Sequence, residues 1–133
     1  MNAIFESTKT YSDLLGRLLL AAIFITAGYG KIGGYAATQG YMEAMGVSGA
    51  LLPLVIVAEL GGGLAILLGL LTRYAALGLA VFSVASAVIF HGSADQMQQI
   101  MFMKNLAIAG GLLILVANGP GRLSLDAKLF GKG

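Results

Sequence analysis

The 133-residue chain is 58% hydrophobic and only 11% charged, with a mean hydropathy of +0.88. These values are far from the soluble average; they describe an integral membrane protein with no room for a separate soluble domain. A net charge of +2 gives no basis for nucleic-acid binding, and zero cysteines exclude disulfides, Cys-x-x-Cys redox motifs, thiolate metal sites and iron–sulfur clusters.

Four apolar segments predict four membrane spans, at about residues 14–31, 51–71, 74–91 and 97–117. The first follows a mostly polar stretch, has Arg17 inside its start, and lacks a small-x-small cleavage site after it. It therefore reads as a retained span and not as a signal peptide. Arg17, Leu20, Phe24, Ala27/Gly28 and Lys31 recur at three-or-four spacing and form one helical stripe. In the longer loop that follows, residues 35–45 read as a short interfacial helix, with Tyr35 and Tyr41 at headgroup level and Gly46 ending it.

The second segment holds a single charge, Glu59. An ionisable group near the centre of a spanning helix costs about 2.5–3.5 kcal/mol on insertion scales, so it faces a partner, a cavity or a site. Gly62, Gly63 and Ile66 share its face, where small residues admit a neighbouring backbone. Gly61, Ala65 and Gly69 offer a second close-contact face, for another helix or another copy of the chain.

Leu71-Thr72-Arg73-Tyr74 reads as a tight hairpin, with Thr72 as a helix cap and Tyr74 as an interface anchor. His91 closes the third span, and Lys104 and Asn105 come early in the fourth. Asn118-Gly119-Pro120-Gly121 stops that helix, because glycine accepts a left-handed cap and proline cannot continue it. Residues 124–130 read as a second interfacial helix, in the C-terminal tail.

Six of the eight basic residues (Lys9, Arg17, Arg73, Arg122, Lys128 and Lys132) fall on one side of this layout, against Lys31 and Lys104 on the other. The positive-inside rule then places both termini in the cytoplasm of a bacterial inner-membrane protein. Lys31, Glu59, His91, Lys104 and Asn105 are drawn by topology into the external half of the bundle. Two lysines against one carboxylate leave a surplus positive charge, which suits a quinone carbonyl or a sulfur oxyanion. The competing reading is a structural ion pair of Glu59 with one lysine; which lysine is left open. Arg17, Arg73, Arg122 and the tail lysines read as topology and headgroup anchors, His91 as a solvated histidine, and Met97, Met101 and Met103 as packing.

Several of these motifs together resemble the DoxX family of small four-helix membrane proteins. They are Gly16-Arg17, Phe24-Ile-Thr-Ala-Gly28 with Gly30-Lys31, Tyr41-Met-Glu-Ala-Met-Gly46 and Glu59-Leu-Gly-Gly-Gly63. Gly69-Leu-Leu-Thr-Arg73, Met103-Lys-Asn-Leu106, Gly119-Pro-Gly121 and Ser124-Leu-Asp126 complete the set. The resemblance implies an all-α, four-transmembrane-helix bundle of the inner membrane and a quinone-linked redox accessory role beside partner subunits that carry haem and copper. Expected site residues are Glu59 and Lys104 as catalytic groups, with Lys31, Glu59, His91, Lys104 and Asn105 binding the ligand. Quinone is the expected cofactor, with no haem, iron–sulfur or metal site in the chain itself. The rival class is non-catalytic: a small lipophile-binding or transport protein, or a membrane scaffold for a periplasmic partner. A homo-oligomer fits either class.

Overall fold

In the computed structural model, which describes residues 2–131, the chain is helical and shows no strand among those residues. Helix α1 (Asn2–Gly33) is followed by the short α2 (Tyr35–Ala44). The second span, Gly49–Leu68, is built from four pieces. These are a 3₁₀ turn (Gly49–Leu51), α3 (Leu52–Ile56), a π-helical turn (Val57–Gly61) and α4 (Gly62–Leu68). Helices α5 (Thr72–Phe90) and α6 (Gln96–Asn118) cross next, and α7 (Leu125–Phe130) ends the described chain. Lys132, one of the basic residues in the charge count, lies outside the described residues.

Four helices are long and apolar enough to cross a membrane. Large side chains such as Leu19, Leu54 and Ile114 point outward. That inversion of the soluble pattern is what a hydrocarbon solvent selects. The inner contacts use small residues instead. Ala21, Ala76, Ala80 and Ala109 pack with Phe24, Ile66, Leu79 and Leu112 in one buried cluster. A Cβ on Gly63 would stand 2.9 Å from Ile25 Cγ1, and one on Gly28 would stand 3.0 Å from the Leu60 nitrogen. The close approach of α1 to the second span therefore depends on both positions being glycine.

Packing is uneven around the bundle. Helix α5 lies along α6, and α1 lies along the π turn and α4, while α1 and α6 touch sparingly. Leu20 against Gly111 marks one of those sparse meetings.

Four local expectations change, the last of them at Arg17. Helix α1 starts at Asn2, well before residue 14, because no glycine or proline interrupts the chain before Gly16. The Lys9–Asp13 pair, at 2.6 Å and four residues apart, supports this polar extension. At 1.5 Å per residue, α1 is roughly 48 Å long and outreaches the ~30 Å hydrocarbon core. The second span is not one continuous α-helix; it widens into a π turn around Glu59. Thr72 is not a cap. The position before α5 is Leu71, with φ at 49°, and the capping carboxylate comes from far along the chain.

That carboxylate is Asp126, which accepts from the N–H groups of Leu71 at 2.6 Å and Thr72 at 2.9 Å. Ser124 caps α7, and the Asp126 N–H donates to the Gly69 carbonyl at 2.8 Å. Gly69 turns left-handed at φ 69°, and a Cβ there would lie 2.4 Å from Ser124 Cβ. Arg17 completes this clasp, and its expected role as a headgroup anchor is corrected. It is 2% exposed and donates to four carbonyls: Ile66, Leu67, Pro120 and Leu123. The cation thus sits on the last turn of α4, where orphan carbonyls and the helix dipole favour positive charge. Burial pushes the Asp126 carboxyl up, but the Thr72 and Leu71 donors and the Arg17 charge outweigh it and leave it below its ordinary value.

Candidate functional site

At the opposite end of the bundle from α7, four elements enclose a pocket of about 300 Å³. Lys31 enters from the end of α1, Tyr41 and Met42 from α2, Leu51, Val55 and Glu59 from the second span, and Phe82, Ser86 and Ile89 from α5. His91 stands at its rim, directly after α5. The volume is at the lower end of the range for small-molecule sites, about 300–1,000 Å³.

Helix α2 is fixed over this space by two ties near its middle. The Gln39 side chain donates to the Gly49 carbonyl at 3.1 Å, tying α2 to the start of the second span. The Tyr41 ring stacks on Phe90 with centroids 5.6 Å apart and planes 24° from parallel, tying α2 to the end of α5. An offset aromatic pair of this kind contributes about 0.5–1.5 kcal/mol beyond its buried area.

Glu59 lies ten residues into the span that starts at Gly49, roughly 15 Å along the axis. It is 5% exposed, and Lys31 Nζ approaches its Oε1 to 2.6 Å. The pairing question is thereby decided for Lys31. At that distance the ammonium occupies Oε1, so the buried carboxylate is held by one lysine at the wall of an apolar pocket.

The π turn sets this up. An extra residue in a helical turn rotates everything beyond it by about 100°. One span thereby presents Leu51, Val55 and Glu59 to the pocket while Gly62 and Gly63 meet α5 and α1. Such turns recur at functional sites. No sequence signal marks it, because its neighbours are uniformly apolar and the period cannot be phased.

The expected gathering of five residues is reduced to three. Lys31, Glu59 and His91 share the pocket; Lys104 and Asn105 do not line it. Lys104 is exposed on the outer face of α6. Asn105 instead donates to the Ser83 carbonyl at 3.3 Å and joins α6 to α5. With Lys104 elsewhere, the pocket holds one cation against one anion, and the surplus positive charge is gone. His91 Nδ1 lies 2.6 Å from Gln98 Oε1. An amide oxygen only accepts, so Nδ1 donates in this pair. Sequence reasoning missed Ser86, Phe82 and Met42 as pocket residues, since each reads as ordinary span or loop packing.

The DoxX family matches residues 12–92, which include α2, the π turn, Lys31, Glu59 and His91. The chain is 56% identical over 117 residues to the inner membrane protein YqjF of Escherichia coli strain K12, covering 87% of this chain and 90% of that one. It is 35% identical over 132 residues to the inner membrane protein YphA of the same strain, covering 93% and 94%. No solved structure matches it significantly. Four apolar spans, a family match over most of the pocket-forming sequence and two near-full-length relatives lead to one assignment: the chain is an integral inner-membrane protein belonging to the DoxX family.

Proposed function

We propose that the pocket binds the headgroup of a quinone or quinol, and that the chain serves as a quinone-linked accessory subunit. The observation that carries this reading is the Lys31–Glu59 ion pair, its carboxylate buried, in the wall of an otherwise mostly apolar pocket. An uncharged ring with hydroxyl or carbonyl groups suits it better than an oxyanion. Lys31 and Glu59 already neutralise each other, and a further buried charge would stand uncompensated.

A bound quinol supplies two electrons and two protons when it is oxidised. Glu59 accepts a hydroxyl proton, and Lys31 donates a hydrogen bond to the ring oxygen. His91, at the rim, passes that proton outward, and the second hydroxyl proton follows by the same route once Glu59 is again ionised. Electrons leave to a partner subunit, because the cysteine-free chain offers no thiolate-held centre. Both termini lie in the cytoplasm and the pocket faces the periplasm, as the six-to-two division of basic residues favours.

Quinone titration of the purified protein in lipid nanodiscs tests this. Each charge-assisted hydrogen bond is worth about 1.5–3 kcal/mol, so Glu59→Gln and Lys31→Met should each weaken binding about tenfold or more. Lys104→Ala, away from the pocket, should leave it unchanged. Tight binding indifferent to Glu59 and Lys31 would overturn the proposal and assign a non-catalytic lipophile carrier.

A further inference from the structure

We propose that the ligand of this pocket carries a long hydrocarbon tail, which leaves the pocket past Ala85 and lies in a groove between α5 and α6. The inference rests on the headgroup reading above and names the class of molecule: an uncharged, hydrogen-bonding ring on a membrane-length tail.

The pocket has a lateral opening. Leu51, Ala85 and Ile89 line it and are also exposed on the bundle's outer surface. Below them the second span meets α5 through α4 and the π turn, whereas α3 draws away from α5. A gap is left at the level of the pocket, open sideways to lipid. A cavity of about 300 Å³ holds a ring-sized headgroup, and a long substituent must leave through that gap.

A second, open groove of about 380 Å³ lies on the α6 side of α5. It runs from Leu77 to Ala85 on α5 and is closed by Ala109 and Leu113 on α6, with no polar lining. Ala85, exposed between them, borders both, so a tail passes from one to the other across the outward face of α5 at that small residue. The groove follows α5 for eight residues, roughly 12 Å, in the direction of a spanning helix and hence of the surrounding acyl chains. Ala80 and Ala109 make its floor low, and Leu77, Val81 and Leu113 make its sides. Lipid is as apolar as these walls, so the tail gains by packing and by tethering to the headgroup, not by escape from water. A phospholipid is disfavoured as the occupant, because its phosphate would meet a pocket whose two charges already cancel.

Two photoreactive benzoquinones, one labelled on the ring and one at the end of a decyl tail, test the proposal in nanodiscs. The tail label should attach to groove residues between Leu77 and Ala85 or between Ala109 and Leu113, and the ring label to pocket residues. Val84→Trp, at an exposed groove position outside the pocket, should abolish groove labelling and leave ring labelling intact. Val81→Trp, at another exposed groove position, should do the same and guards against a folding defect at residue 84. Ring labelling in the pocket with tail labelling spread evenly over the lipid-facing surface would overturn the tail site alone. Equal labelling of the groove by a photoreactive phospholipid, undiminished by added quinone, would overturn it too. Failure of the ring label to reach the pocket would overturn the headgroup reading and the tail site together.

Discussion

Glu59 and Lys31 are bound in an unequal partnership. The glutamate is held deep inside the bundle, while the lysine sits near the end of α1 with 28% of its side chain exposed. A lysine at that place can extend along its apolar stem toward water when its partner is lost. A carboxylate at the depth of Glu59 has no such exit. Lys31→Ala should therefore destabilise the protein by about 3–5 kcal/mol, the cost of an unpaired buried charge, whereas Glu59→Gln should cost about 1 kcal/mol. Chemical denaturation in mixed micelles measures both; equal losses would show that the pair is a symmetric structural bridge. The importance of Glu59 was legible in the sequence, because one carboxylate in an apolar span has few explanations. Its partner was not. Helix depth places both Lys31 and Lys104 near it, and only the exposure of Lys104 on a helix that does not line the pocket shows that it points elsewhere. Arg17 was misread for a related reason. A basic residue at a span end is ordinarily an anchor, and the four carbonyls that hold it come from segments about 50 and more than 100 residues away.

The elements that depart from simple periodicity are the ones that build function and closure. The π turn positions Glu59, and α7 folds back to lock the hairpin between α4 and α5. The locking carboxylate of Asp126 lies below its ordinary value in the folded protein. A depressed carboxyl stabilises the fold above its unfolded pKa, about 3.9, and that contribution is lost as the pH falls through the folded value. Thermal stability should thus decline below about pH 4, and Asp126→Asn should be less stable at neutral pH with a flatter acid limb. An unchanged acid limb in the variant would show that the clasp adds nothing. Helix spacing offers a second contrast. Gly63→Ala puts a methyl group 2.9 Å from Ile25 and should cost about 1–3 kcal/mol by forcing α1 away. Gly30→Ala meets nothing within 4 Å and should gain about 0.5–1 kcal/mol, because alanine loses less backbone entropy in a helix. Comparable melting shifts in the two variants would refute the close-packing role of Gly63.

The molecule as a whole is two differently built ends joined by four spans. The α7 end is closed by hydrogen bonds among Arg17, Asp126, Gly69 and the α5 start. The α2 end is held apart by a roof helix and encloses the pocket. Most of the motifs that carry the family resemblance fall at one end or the other: Gly16-Arg17, Gly69–Arg73, Gly119–Gly121 and Ser124–Asp126 at the clasp, and Lys31, Tyr41-Met42 and Glu59 at the pocket, while Met103–Leu106 joins α6 to α5 through Asn105. The four spans and both short helices could be read from hydropathy, turn residues and caps. The division of labour could not, since it arises from contacts between segments far apart in the chain. Infrared difference spectroscopy on nanodisc-embedded protein, recorded as quinol is added and then oxidised, reads the proton on Glu59 itself. A protonated-carboxyl stretch should appear with the ligand and be missing in Glu59→Gln. A spectrum with no carboxyl change, or one that Glu59→Gln reproduces, would contradict proton transfer to Glu59.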